Sequence, residues 1–423
     1  MSNLLFLSLL FIQHFLFVKS NAPPPPPLAP ALYTFGDCQV DIGINPDLNI
    51  SSSKVNYYPY GIDFVIGATG RFTNGATVVD LIGDILGLPV SIHYSPEKKS
   101  ANTLSKGYNY ASGPSGILPE TGTASRPSWS MNEQIAIFNM TVQNNLPKHF
   151  KCKAELDDYL SKSLFVVDIG TSDYEYNYLQ PNYYNTSKRY NPEQFGNLLA
   201  NQFGKQLKEL YNLGARKFLV FEIAPIGCYP QAVKRYKPTT KCAEDINNLV
   251  LIFNRKLEHK VRTLRSRCKD AHITIAKTYS FILDMLKRPS TYGKKIFHFS
   301  DNGKHKSSLQ KLSGFEWGFR AGFEETTQPC CLVRNDTIGI CAPNKNPCSN
   351  RNKALFWDDN HLTEAAYRLM ADKCFSGSDI CTPNINKTLS SAEPCMKPSL
   401  VHMFFLVLLY GVSCFHKTFG FCW

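Results

Sequence analysis

The chain has 423 residues and 14 cysteines, yet no Cys-x-x-Cys pair occurs. Zinc ribbons and thioredoxin-like redox centres depend on that spacing, so both readings lose support. No internal repeat is visible, which excludes a repeat architecture. There is also no long block of one charge. Lysines and arginines are scattered, and the modest cluster from Lys256 to Lys269 fits the wet face of a helix, so nucleic acid is discounted as a partner. The apolar runs at the two ends, Leu4–Val18 and Leu400–Phe415, fall below the roughly 20 residues that span a bilayer as a helix.

What is present is ample core material: 43% apolar residues, with 28 Phe and 21 Tyr. The length allows two or three domains, but a single α/β domain with long insertions reaches it as well. Residues 1–20 read as a secretory signal. Leu4–Val18 is apolar apart from Gln13 and His14, and Lys19-Ser20-Asn21-Ala22 supplies small residues for cleavage, although no Lys or Arg precedes the run. Residues 21–30 form a proline-rich spacer around Pro23–Pro27, and residues 31–390 make the folded domain. Five Asn-x-Ser/Thr sequons, at Asn49, Asn139, Asn185, Asn335 and Asn386, predict a glycosylated, exported protein. The 14 cysteines suit an oxidising compartment, whether outside the cell or, alternatively, the endoplasmic reticulum or vacuole. A net charge of +12 fits a basic secreted protein, or one that adheres to acidic wall polysaccharide or anionic lipid. In the extension 391–423, small residues followed by an apolar tail look like a lipid-anchor signal, which polar His416-Lys417-Thr418 spoils. Membrane attachment through this tail, and a stray extension, both stay open.

Short apolar runs predict buried strands at Leu32–Phe35, Ser163–Ile169, Lys217–Ile223 and His272–Ala276. Helical periodicity marks Gly75–Leu86, a long helix opened by Asn191-Pro192, another over Ile246–Leu264, and a short one from Thr363 to Lys373. Strand and helix in alternation predict a parallel sheet with helices on both faces, and sites on such sheets gather beyond the strand C-termini. Two segments sit there: Gly36-Asp37-Cys38 and Gly170-Thr171-Ser172-Asp173. From about Lys294 to Lys353 the pattern fails, and an irregular disulfide-stapled insertion is expected around Cys330, Cys331, Cys341 and Cys348. Cys228 and Cys242 bracket a loop and are candidates to pair, though connectivity does not follow from sequence.

Ester hydrolysis needs a nucleophile, a base, a group that orients the base, and donors for the oxyanion. Asp358 lies three residues before His361, so its carboxylate can fix the imidazole tautomer. Alone, that spacing also describes an ordinary histidine ahead of a helix. The order of GDC, GTSD and FWDDNHLTEAAY adds weight, together with GRFTNGATVVDLI at Gly70, GYNYASGPSGIL at Gly107, YNLGARKFLVFEIAPIGCYP at Tyr211 and CAEDINNLVLIFNRKL at Cys242. This set resembles the plant GDSL-type esterase/lipase family of the SGNH hydrolases, from about Ala31 to Cys381. No G-x-S-x-G elbow occurs, which argues against an ordinary α/β-hydrolase. The resemblance implies a three-layer α/β/α sandwich around a parallel sheet. It implies hydrolysis of carboxylic or lipid esters without metal or cofactor.

Carried over by position, Cys38 falls at the nucleophile, Asp358 at the orienter and His361 at the base. The departures cluster at this site. Cys38 replaces Ser, and Ser172 replaces the oxyanion Asn. Gly113-Pro114 stands where Gly-Gly is usual, so a backbone donor survives if it is Gly113 and is lost if it is Pro114. Three readings stay open: a secreted member with weakened or lost hydrolysis kept for binding, with another secretory-pathway protein as partner; a thiol esterase or acyltransferase; and a degraded gene product. Cys38 as a buried thiol or a disulfide half, and Ser172 as a helix-capping turn residue, are the plainer alternatives.

Overall fold

The computed structural model describes residues 26–44, 54–95, 106–124, 128–293, 322–335 and 339–391. The signal segment, Asn49, half of the proline-rich spacer, part of the insertion and the C-terminal tail lie outside them.

Five strands form the main sheet: β1 (Leu32–Gly36), β2 (Leu164–Asp168), β3 (Lys217–Phe221), β4 (His272–Ala276) and β7 (Cys381–Thr382), hydrogen-bonded in that order. The first four are parallel, as expected, and β7 runs antiparallel against β4. The reason for the reversal is local. β7 arrives from the helix Glu364–Ser376 through a turn closed by the Cys374–Cys381 disulfide, which leaves no length for a crossover.

Alternation along the strands builds two cores. Tyr33, Phe35, Phe165, Val167, Phe218 and Val220 face one side. There they meet α2 (Met131–Met140), α3 (Lys153–Lys162), α4 (Pro192–Asn212) and α5 (Glu244–Arg267). Leu32, Leu164, Val166, Leu219 and Phe221 face the other side, against α1 (Val78–Ile85), α6 (Thr278–Lys287) and α7 (Glu364–Ser376). This is a three-layer α/β/α arrangement, with the strands buried on both faces. α4 begins where Asn191 and Gln194 cap each other reciprocally, at 2.9 and 3.0 Å, ahead of Pro192 in the first turn.

Two features were not legible in the sequence pattern. The segment 106–112 runs beside β1, with Leu32, Thr34, Tyr110 and Ser112 N–H groups donating to Lys106, Tyr108, Thr34 and Gly36 carbonyls in turn. The insertion is also partly regular, since β5 (Glu325–Pro329) pairs in parallel with β6 (Ala354–Phe356). Disulfides Cys330–Cys348 and Cys331–Cys341 staple it, and Cys228 is bonded to Cys242. The insertion supports a third, smaller apolar cluster containing Tyr60, Phe72 and Trp357, and Cys38 belongs to it.

Candidate active site

The site forms beyond the C-terminal ends of β1 and β2. β1 ends in Gly36, where a Cβ would lie 2.2 Å from the Asp168 carbonyl oxygen, so only glycine lets the turn close against β2. Asp37 N–H then donates to that same carbonyl at 3.1 Å, and Asp37 Oδ1 accepts from Gln39 N–H at 3.1 Å. The turn presents Cys38, which is buried and unoxidised. After β2, Gly170 at φ 121° opens the turn that places Ser172.

The Asp358–His361 segment is built by one carboxylate. Asp358 Oδ1 accepts from Asn360 N–H at 2.9 Å and His361 N–H at 2.8 Å, which shapes the turn. The same carboxylate holds His361 Nδ1, with Oδ1 at 2.8 Å and Oδ2 at 3.0 Å. Tyr60 donates to Oδ2 at 2.7 Å. Nδ1 therefore carries the proton that faces Asp358, and Nε2 is left as the basic nitrogen. Nε2 is buried and has no hydrogen-bond partner among the described residues. Phe72 lies on the imidazole at 4.8 Å between ring centroids. Arg71, the residue before Phe72, is buried, paired with Asp80 at 2.9 and 2.7 Å and bonded to Thr69 Oγ1 and the Ile42 carbonyl.

The two halves are joined directly. Gln39 Nε2 donates to the Asn360 carbonyl at 3.0 Å, and Tyr367 donates to Gln39 Oε1 at 3.1 Å. Cys38 also packs in one apolar cluster with Tyr60, which binds Asp358, and with Trp357, which precedes Asp358 in sequence. Gly113 lies against Cys38, since a Cβ there would stand 2.6 Å from Cys38 Cβ.

Electrostatically the site is rich in buried carboxyls. Burial pushes the Cys38 thiol well above its ordinary value, and Asp37, Glu175, Asp358 and Asp41 push it further. Burial raises Asp37 to about 6, against the lowering effect of nearby N–H groups and His361. Asp41 is also raised to about 6 by burial, despite accepting from Gly43, Gly113 and Ile44 N–H groups. Asp173 is raised to about 7 by burial while it clamps Ile117 and Leu118 N–H groups and the Thr121 hydroxyl. A thiol in such surroundings stays protonated.

Ser172 is fully buried, and its Oγ has no partner among the described residues. Gly113 N–H donates to Asp41 Oδ2 at 3.1 Å, and the next residue, Pro114, has no N–H. Sequence reasoning missed Tyr60, Phe72 and Gln39. Each acts through a contact distant in sequence, and only the GRFTNG stretch at Gly70 hinted at one of them. No group of three or more metal-ligating side chains suited to an ion occurs among the described residues.

A mostly parallel sheet covered by helices on both faces is the arrangement of the SGNH type of α/β hydrolase fold. The chain belongs to the GDSL-like Lipase/Acylhydrolase family, whose match covers residues 32–374. It is similar to GDSL esterase/lipase 7 of Arabidopsis thaliana, with 36% identity over 357 residues, 83% of this chain and 89% of the relative. Two further Arabidopsis thaliana GDSL esterase/lipases are 33% and 35% identical over 362 and 375 residues, covering 85% and 86% of this chain and 88% of each relative.

Proposed function

We propose that this chain is a secreted GDSL-family protein in which ester hydrolysis is weakened or lost, and which is kept for binding. One observation carries the reading: Cys38, at the nucleophile position, is a buried free thiol, pushed well above its ordinary value first by burial and then by neighbouring carboxyls. An attacking thiolate would have to form against that field. Oxyanion stabilisation is weak as well. Ser172 offers a short hydroxyl in place of an amide, the Gly113 N–H is given to Asp41, and Pro114 has none. Losing one oxyanion donor costs on the order of 10²–10³ in kcat.

A second reading, a cysteine esterase or acyltransferase, draws on the intact His361–Asp358 pair and its open Nε2. In that case Nε2 takes the Cys38 proton, the thiolate adds to the ester carbonyl, and the adduct expels the alcohol, which takes the proton back from Nε2; water or a second alcohol then releases the acyl group from Cys38. Carboxylic or lipid esters are the substrate class in either reading. Export is supported by the exposure of Asn139, Asn185, Asn335 and Asn386, where sugars would attach. No helix of the described residues is long and apolar enough to cross a membrane. The test is turnover of a short-chain p-nitrophenyl ester by the mature protein against Cys38→Ala. Equal rates support lost hydrolysis; a fast rate abolished by alkylation and by Cys38→Ala overturns it in favour of the thiol enzyme.

A further inference from the structure

A cleft of about 350 Å³ lies away from Cys38, between the loop after Pro114 and the segment before α4. Leu118, Glu120, Tyr184, Arg189 and Tyr190 contribute to its wall, and Tyr183 and Asn185 line it too. Three observations point to its occupant. First, Asn185 is an exposed sequon asparagine that itself lines the cleft. Second, Tyr183 is 71% exposed, the most exposed large apolar side chain among the described residues, so packing against them does not explain it. Third, Tyr183 stands two residues before Asn185, whereas the other sequons have Asp47, Ile137, Val333 and Asn384 at that offset.

We propose that the cleft seats the first sugars of a glycan carried by Asn185. The inference rests on the export reading above. The chemistry fits a pyranose. Its C–H face packs on an aromatic ring, its N-acetyl carbonyl accepts from a guanidinium, and its hydroxyls donate to a carboxylate. Tyr183 and Tyr190 supply the rings, Arg189 the donor and Glu120 the acceptor. Arg189 lies 5.6 Å over the Tyr190 ring and makes no ion pair among the described residues. The volume is at the small end of ligand pockets, suited to one or two rings rather than a long chain. The cleft floor is fixed, because Thr186 donates to Asn177 Oδ1 at 2.5 Å and Asn177 donates to Thr121 Oγ1 at 3.1 Å.

The experiment uses the full chain made in a eukaryotic secretory host with high-mannose glycans. Endoglycosidase H is applied to the native protein, and release is followed site by site by mass spectrometry of glycopeptides. Release at Asn185 should be about tenfold slower than at Asn139, Asn335 and Asn386, the scale of one aromatic stacking contact. Tyr183→Ala should remove the difference, and its exposed position leaves the fold intact. Equal release rates, or protection that survives Tyr183→Ala in the native protein, overturn the seat. An empty Asn185 with sugar on the other sites also overturns it, while sugar on none overturns the export reading as well.

Discussion

Tyr60 donates its hydroxyl proton to Asp358 Oδ2 at 2.7 Å, across 298 residues of sequence. The Tyr60 hydroxyl oxygen in turn accepts from Cys341 N–H at 3.0 Å, so one hydroxyl links the His361 partner to the stapled insertion. Tyr60→Phe leaves that N–H unpaired and removes a donor from a buried carboxylate. It should cost about 1–3 kcal/mol in urea unfolding. An unchanged midpoint would show that the bond contributes nothing to stability.

Cys38 should label slowly. It is 6% exposed and its thiol is held up by burial and by carboxyls. Iodoacetamide at pH 7.5 should modify native Cys38 far more slowly than the same cysteine in urea, because only the thiolate reacts and access is closed. Rapid native labelling would point instead to an activated nucleophile.

Turnover should be recoverable. Cys38→Ser with Ser172→Asn restores an oxygen nucleophile and an amide donor beside the existing His361–Asp358 pair. The double variant should exceed the wild type by on the order of 10²-fold in kcat/KM on a short-chain ester, one oxyanion donor's worth. Each single change should give less than its share, since both groups act on one transition state. If the double variant is silent, the missing N–H at Pro114 is the next obstacle, and Pro114→Gly tests it.

Stability should fall as pH rises from about 4 to 7. Asp37 and Asp41 are raised to about 6 and Asp173 to about 7, from an ordinary value of 3.8. In that window the unfolded chain has released these protons and the folded chain still holds them. Their contribution is therefore complete below the unfolded range and is lost as pH passes the folded values. Asp37→Asn removes one such group. Relative to wild type it should gain on the order of 1–3 kcal/mol between pH 4 and pH 8, at about 1.4 kcal/mol per pKa unit. Urea midpoints that shift equally at both pH values would contradict this.

Arg71→Met should be among the costly single changes. It strands the buried Asp80 carboxylate, paired at 2.7 Å, and leaves the Ile42 carbonyl and Thr69 Oγ1 without their guanidinium donor. Breaking a buried pair on one side costs about 3–5 kcal/mol. A melting temperature within a degree of wild type would refute the role given to this pair.

The four parallel strands, α1, α4, α5 and α7 could be read directly, because their apolar residues keep strict spacing and Asn191-Pro192 and Thr363 mark helix starts. α2, α3 and α6 escaped notice for different reasons. α3 is polar on most positions, and α6 follows β4 after one residue, so its apolar residues merge with the strand. β7 is two residues long and carries no pattern at all. At the site, the Asp358–His361 contact follows from local spacing. The tie from Gln39 to Asn360 and the use of Gly113 N–H by Asp41 are decided by tertiary packing, which local sequence does not record.

The bracing of the sheet margins bears on how the protein behaves in crowded surroundings. Open strand edges recruit other chains, and natural proteins cover or shorten them. Here the outer side of β1 is occupied by the 106–112 segment, whose Asn109 is in turn bridged to His93. The far side of β4 is taken by the two-residue β7, pinned by its disulfide and by Thr274 donating to the Pro383 carbonyl at 2.9 Å. Neither margin offers a long template for intermolecular pairing. A reducing environment would free β7 by opening Cys374–Cys381 and expose the β4 edge, so self-association should begin there, far from Cys38 and independently of anything that happens at the catalytic position.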